Sequence, residues 1–284
     1  MGMGHEQQVR AFYDYAGPAY EAIMDDVWHH GDPAAEARGL SSRQAALALE
    51  ERLVRLAGLR PGDRALDFGS GVGGAALHMA AFSGATFVGL SNNEWLSQRA
   101  RALAAERGQA DRVQFLTVGD EDYTTLAAWP DMSFDAVTFY ESVCHLPRKE
   151  RFFQSAYRLL KPGGALVGVD WLRRPYGAHR SPEEIARFID PVNETTCLAG
   201  LGTVHEYRAM LEGAGFRVGL AEDLFPGVLC WGSTPPEERP MWLGYDGPEG
   251  TLIRAGKQAL DAARGAGVFT AGAFAAHRPG TPSS

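Results

Sequence analysis

Lysine is nearly missing from this 284-residue chain: three of its 27 basic side chains are lysine, and the rest are arginine. Acidic residues number 35, the formal charge is −8, and no basic tract offsets it locally. A nucleic-acid partner, which needs a cationic face, is therefore not expected. Long apolar runs are missing as well. None approaches the roughly 18 residues that a membrane span requires, so no membrane contact is expected. The opening MGMGHEQQVR lacks an apolar stretch of the signal-peptide kind, which makes the cytoplasm the expected compartment. Cysteine occurs three times, at Cys144, Cys197 and Cys230, with no C-x-x-C pair. That spacing suggests neither a disulfide framework nor a zinc site. There is no internal repeat, and the only low-complexity piece is the tail HRPGTPSS.

What is present is a rhythm. After a serine-capped helical pattern, SSRQAALALEERLVRLAGL from residue 41, short apolar runs alternate with helical ones. RALDFG, TFVGLS, RVQFLTVG, FDAVTFYE and ALVGVDWL read as strands, separated by helices at about 73–83, 93–108 and 148–161. A helix at 204–215, a strand at 216–224 and a final strand in GVFTAGAFAAHRP complete the pattern. Strands that are apolar nearly throughout, spaced by helices, predict an α/β fold: a doubly wound, Rossmann-like, seven-stranded and mostly parallel sheet with helices on both faces. The rhythm breaks at 173–203 and at 225–265, and segments this long inside a compact domain are usually lids or binding loops. The expected organisation is a lid of N-terminal helices over 1–40 and a ligand-binding domain over 41–284. That domain carries lid insertions at about 173–203 and 225–265.

The chemistry concentrates in LDFGSGVGG. Gly69, Gly71 and Gly73 allow backbone angles barred to other residues and let a ligand approach the main chain. In a doubly wound sheet this first strand–helix turn is where ligands sit. Gly69, Gly71 and Gly74 also satisfy the dinucleotide pattern G-x-G-x-x-G, so a nicotinamide-dependent oxidoreductase is one reading. Two features oppose it. The end of the second strand offers Ser91, Asn92 and Asn93 instead of an acid for the ribose. The acid present, Asp67, precedes the glycines, where it suits a cationic ligand end and would repel a pyrophosphate.

These residues resemble the first motif of class I S-adenosylmethionine-dependent methyltransferases, an acid followed by G-x-G-x-G. The likeness continues in order through FDAV, LLKPGG and EYRAMLEGAGF. With VRAFYDYAGPAYEAIMDDVWHHGD, YESVCHLP and VGVDWL, the chain looks like small-molecule methyltransferases of natural-product and antibiotic pathways, the group of rebeccamycin sugar, tocopherol and sterol methyltransferases. The resemblance implies S-adenosylmethionine as cofactor, S-adenosylhomocysteine as product, and no metal, since no Asp/Asn cluster of the magnesium-dependent kind is present. It implies that Asp67 and the backbone of Gly69, Ser70, Gly71 and Gly73 hold the methionine end. Ser91 and Asn92 then replace the usual ribose acid, and Asp120, with Asp122 as its competitor, meets the adenine. Tyr13 belongs to a helix that closes over the cofactor in relatives.

Methyl transfer is an in-line displacement whose demands are alignment, exclusion of water and, for a hydroxyl or protonated amine, a base. Candidates project from the ends of the fourth and fifth strands: His145 as base, Glu141 on the same helical turn as its support or as a cofactor contact, and Asp170 to orient the imidazole. Tyr20 and His29 from the lid, with Trp171, Tyr176 and Trp231, are expected to wall a pocket for a flat, hydrophobic small-molecule acceptor. The leading expectation is O- or N-methylation with His145 as base. The alternative is C-methylation of an electron-rich alkene or indole carbon, with Glu141 stabilising a cation. A catalytically silent partner subunit is a further reading, and a homodimer is compatible with the sequence.

Overall fold

The structure is a computed structural model that describes residues 2–119, 126–127, 129–177, 180–230, 242 and 244–280. Its centre is one seven-stranded sheet with strand order β3-β2-β1-β4-β5-β7-β6. The strands are β1 (Arg64–Phe68), β2 (Thr86–Ser91), β3 (Val113–Thr117), β4 (Phe134–Tyr140), β5 (Leu160–Arg173), β6 (Arg217–Asp223) and β7 (Phe269–His277). β1 to β5 pair in parallel. β7 runs antiparallel between β5 and β6. The expected seven-stranded, mostly parallel sheet is therefore present.

Helices cover both faces, as a parallel sheet requires. They are α1 (His5–Met24), α2 (Pro33–Ala37), α3 (Ser42–Ala57), α4 (Gly74–Ser83), α5 (Glu94–Glu106), α6 (Lys149–Leu159), α7 (Pro182–Thr195), α8 (Val204–Gly213) and α9 (Gly250–Gly265). One core lies between the sheet and α3, α4, α7 and α9, around Leu49, Leu53, Phe87, Val167 and Phe269. The other packs α6 and α8 against Phe68, Phe139 and Phe274, with Phe152, Phe153 and Tyr207 filling it. Local signals agree with this layout. Ser41, Ser181 and Thr203 each close a capping box on α3, α7 and α8, and Gly58 ends α3 in the left-handed conformation.

One boundary moves. The PGG of residues 162–164 reads as a turn ahead of a strand at 165, yet β5 starts at Leu160, opposite Phe134, and pairing resumes at Ala165 opposite Ala136. The register shifts between these two pairs, and Gly163, at φ +83°, lies in the resulting bulge.

The N-terminal residues form a roof. α1 lies across the end of β2: Asn93 donates to the Arg10 carbonyl at 3.0 Å and to Asp14 at 2.8 Å. Ala19 and Ile23 of α1 pack on Ile253 of α9. The strap between α1 and α2 then runs over the glycine loop. A Cβ added to Gly74 would sit 1.9 Å from the Asp26 carbonyl oxygen, so Gly74→Ala is expected to lift the strap. The predicted cost is about 1–3 kcal/mol, read by thermal unfolding together with a change in Trp28 fluorescence. An unchanged melting temperature and spectrum would contradict this contact.

Candidate active site

The turn after β1 offers bare backbone. Gly69, Gly71 and Gly73 have φ of +73°, +53° and +90°. Gly73 is packed shut, with Phe115 2.6 Å from where its Cβ would lie; at Gly71 the nearest atom is Trp28, at 3.9 Å. The loop is held to β2 by the Ser70 N–H, which donates to the Leu90 carbonyl at 2.9 Å. The Ser70 hydroxyl points to the same carbonyl, 3.3 Å away.

Asp67 is buried behind this loop and accepts from the Thr138 hydroxyl at 2.7 Å. Burial pushes its carboxyl up to about 7; the Thr138 bond opposes this and the Glu50 charge adds to it. A buried acid that gains from a nearby cation, beneath half-buried glycine backbone, fits an amino-acid-bearing ligand. Ser91 and Asn92, the expected ribose contacts, are buried under α1. The Ser91 hydroxyl accepts the Asn93 N–H at 3.0 Å, and the Asn92 amide reaches the Glu6 carbonyl at 3.4 Å. Asp120, its competitor Asp122, and Trp231 lie outside the described residues.

Under the roof is a cavity of about 660 Å³, and Trp28, the residue nearest Gly71, is part of its lining. Phe12, Tyr13, Tyr20, Trp28, Trp171 and Trp242 line it with aromatic rings, while Ile23, Met24, Leu198, Leu252, Ile253 and Leu260 add aliphatic surface. Glu141, His145, Cys144 and His29 supply polar atoms along the same wall. The site calls Tyr13, Tyr20, His29, Glu141, His145 and Trp171 thus share one cavity. Tyr176 does not join them: it is 55% exposed, with the Arg173 guanidinium 5.3 Å above its ring. Tyr15, two residues beyond Tyr13 on α1, faces outward and donates to the Pro248 carbonyl.

Glu141 does not support His145. Its backbone sits at φ +50°, outside the short 3₁₀ turn Val143–His145, so no common helical face forms. Instead, Oε1 accepts from the His30 backbone N–H at 2.6 Å and from His30 Nδ1 at 2.5 Å. Oε2 accepts from the Trp171 indole N–H. Burial alone would raise the Glu141 carboxyl, but the charge and hydrogen bonds of His30 outweigh it and hold it below the usual range. His30 is buried too; burial lowers its affinity for a proton, yet Glu141 more than compensates and lifts it to about 9.

His145 is oriented by backbone, not by Asp170. Its Nδ1 is 3.0 Å from the Cys197 carbonyl, which can only accept, so the proton sits there. Nε2 is left as the acceptor and faces the Tyr13 hydroxyl at 3.0 Å. Burial pulls the imidazole down to about 4, so at neutral pH it is uncharged and a weak base. Asp170 turns away from the cavity into the core, where it accepts from the Tyr207 hydroxyl at 2.7 Å and the Trp171 N–H at 3.0 Å. Its expected partnership with His145 is absent for that reason. His29 donates from both ring nitrogens, to Glu50 and to the His30 carbonyl, each at 2.8 Å, so it is an imidazolium with no nitrogen left for an acceptor. Its pKa is raised accordingly: burial works against the charge, and the bonds to Glu50 overcome it.

Sequence reasoning missed the pairing of His30 with Glu141 and that of Tyr13 with His145. WHHGD named the two histidines, but nothing local says that each meets a different carboxylate. Among the described residues, no group of three or more His, Cys, Asp or Glu side chains is placed to hold a metal ion. No described helix is long and apolar enough to cross a membrane.

Comparison with known proteins agrees with this fold. A family profile described as "Methyltransferase domain" matches residues 41–219. The chain is 28% identical over 248 residues to the sterol 24-C-methyltransferase of Pneumocystis carinii, covering 86% of this chain and 62% of the relative. It is 31% identical over 224 residues to 24-methylenesterol C-methyltransferase 2 of Oryza sativa subsp. japonica, covering 78% and 60%. The chain therefore spans about three fifths of the length of these relatives. Among solved structures, the [4+2]-cyclase SpnF superposes with a TM-score of 0.80 at 23% identity over 99% of both chains, a likeness of fold.

Proposed function

The chain belongs to the methyltransferase-domain family, in its class I S-adenosylmethionine-dependent branch, and on that premise we propose that it methylates an alkene carbon of an apolar, isoprenoid-like small molecule. The single observation that carries this reading is the anchored Glu141 carboxylate on the wall of an aromatic-lined cavity. The relatives support the carbon acceptor, since they are named for C-methylation. The hydroxyl or nitrogen acceptor with His145 as base gives way to it. An imidazole held near 4 is poorly matched to a hydroxyl proton.

S-adenosylmethionine, when bound, supplies an electrophilic methyl on a sulfonium. Asp67 and the backbone of Gly69–Gly71 would hold its amino-acid end, and Trp28 would close over it from the strap. The ring faces of Tyr13, Tyr20, Trp28 and Trp171 exclude water and favour positive charge in the acceptor. Glu141 opposes the charge that develops there as the alkene π pair forms the new carbon–carbon bond. A C–H beside a carbocation is a strong acid, so even His145, reached through Tyr13, or Glu141 itself is basic enough to take its proton.

Binding should depend on pH through Asp67. Its carboxyl, raised to about 7, must ionise to meet an ammonium, so S-adenosylhomocysteine affinity should weaken as pH falls below 7, by up to about tenfold per unit. Calorimetry across pH 5.5–8 reads this, and Asp67→Asn should flatten the curve. The function is tested by mass spectrometry of S-adenosylmethionine reactions with a sterol bearing a side-chain alkene and with phenolic and amine acceptors of similar size. Turnover of the alkene is expected; turnover of the phenol or amine alone would overturn the reading.

A further inference from the structure

We propose that His30, carried into the core by the strap between the first two helices, is the positioning residue that fixes the charge and aim of Glu141 toward positive charge in the cavity. This rests on the cation-stabilising reading of the site given above. The geometry is specific. One residue delivers two donors to the same oxygen, its backbone N–H at 2.6 Å and its ring Nδ1 at 2.5 Å, while Trp171 takes the other oxygen. Three converging donors remove the freedom of the carboxylate to rotate. The ring itself is fixed by Trp171, Phe225 and Phe269, with centroids 5.8–6.2 Å away.

The backbone adds a second observation. Glu141 holds φ +50°, a conformation that costs a non-glycine residue on the order of 1 kcal/mol. Such strain persists where the surroundings over-determine it, and here the surroundings are His30 and Trp171.

Other charged groups share the cavity wall: Arg43 of α3 pairs with Asp26, Lys257 of α9 with Asp261, and Arg264 of α9 with Asp261 and the Cys230 carbonyl, whereas His30 is the cation bonded to Glu141. From the strap, His29 is an imidazolium bonded to Glu50, and its charge also favours the Glu141 carboxylate, though less than that of His30. From α1, Tyr20 is raised by burial and stays neutral. From the 3₁₀ turn, burial keeps Cys144 as a thiol and His145 as a neutral ring. The Cys230 side chain adjoins the His30 ring itself. Without His30, burial would be opposed mainly by the more distant charge of His29, and the carboxyl would shift up toward neutral pH.

This arrangement also couples the roof to the chemistry. The same strap places Trp28 over Gly71 and His30 on Glu141, so the acid is charged and aimed only when the roof is seated.

The test uses the full chain saturated with S-adenosylhomocysteine and two probes, decyltrimethylammonium as a cation and decanol as its neutral counterpart. Binding of each is measured by calorimetry from pH 5.5 to 8. The wild-type protein should prefer the ammonium, with an affinity that is flat across this range. In His30→Asn the ammonium affinity should fall about tenfold at pH 6 and recover toward pH 8, one pKa unit being a factor of ten. Decanol affinity, which reports an intact cavity, should not change. His30→Gln should repeat the result if the asparagine variant loses decanol binding. Trp171→Phe, which removes a hydrogen bond but keeps the His30 charge, should stay flat. A flat curve in His30→Asn or His30→Gln with intact decanol binding would overturn the role of His30 and leave the cation-stabilising site standing. Equal wild-type affinity for ammonium and decanol would sink that site, and this inference with it.

Discussion

Glu141→Gln is expected to slow methyl transfer to an alkene by on the order of 10²–10³, with S-adenosylhomocysteine binding nearly unchanged. The substitution is close to isosteric. The amide oxygen can still accept from His30 or Trp171, so the fold of the wall should persist. What disappears is the negative charge, in a cavity whose lining is largely apolar and screens it weakly. The loss should fall on kcat, because the carboxylate is needed when positive charge develops and not when a neutral alkene binds. Single-turnover rates at saturating acceptor separate the two. A loss confined to KM would mean that Glu141 holds a polar group of the acceptor instead.

The second large effect belongs to the glycine loop. Gly71→Ala should weaken S-adenosylhomocysteine binding at least about tenfold, and Gly71→Leu should abolish measurable binding, while the melting temperature changes little. Two facts separate these outcomes. At φ +53° the added Cβ costs about 1–2 kcal/mol in the loop, a minor part of the stability of a domain this size. It also meets nothing closer than Trp28 at 3.9 Å, so the free protein has room for it. The room it fills is the space proposed for the cofactor. Gly73 behaves differently: its Cβ would collide with Phe115 and Ala100, so substitution there should unfold the protein before binding can be measured. Calorimetry with thermal unfolding of the three variants distinguishes a binding loop from a merely tight turn.

Much of the fold was legible because its signals are local. Apolar strands of five to seven residues, helix caps at Ser41 and Thr203, and glycines at helix ends each act within a few residues. The glycine loop was legible for the same reason, its conformation being dictated by side chains it does not have. The polar partners inside the site were not legible. Glu141 and His30 are 111 residues apart, and Tyr13 and His145 are 132 apart. Each pair exists only because α1 and its strap fold back over the sheet. Asp170 illustrates the converse. Its place at the end of the fifth strand suggested chemistry, but alternation along β5 turns it toward Tyr207, away from the cavity. Tyr176 misled through composition: an aromatic residue in an irregular segment was read as pocket wall, and it lies on the surface against Arg173.

The most direct measurement is a crystal structure of the chain with S-adenosylhomocysteine. The account predicts the amino-acid end over Gly69–Gly71 near Asp67, and the sulfur facing the cavity on the side where the Glu141 carboxylate lies. A nucleoside bound elsewhere, or a sulfur turned away from Glu141, would contradict it.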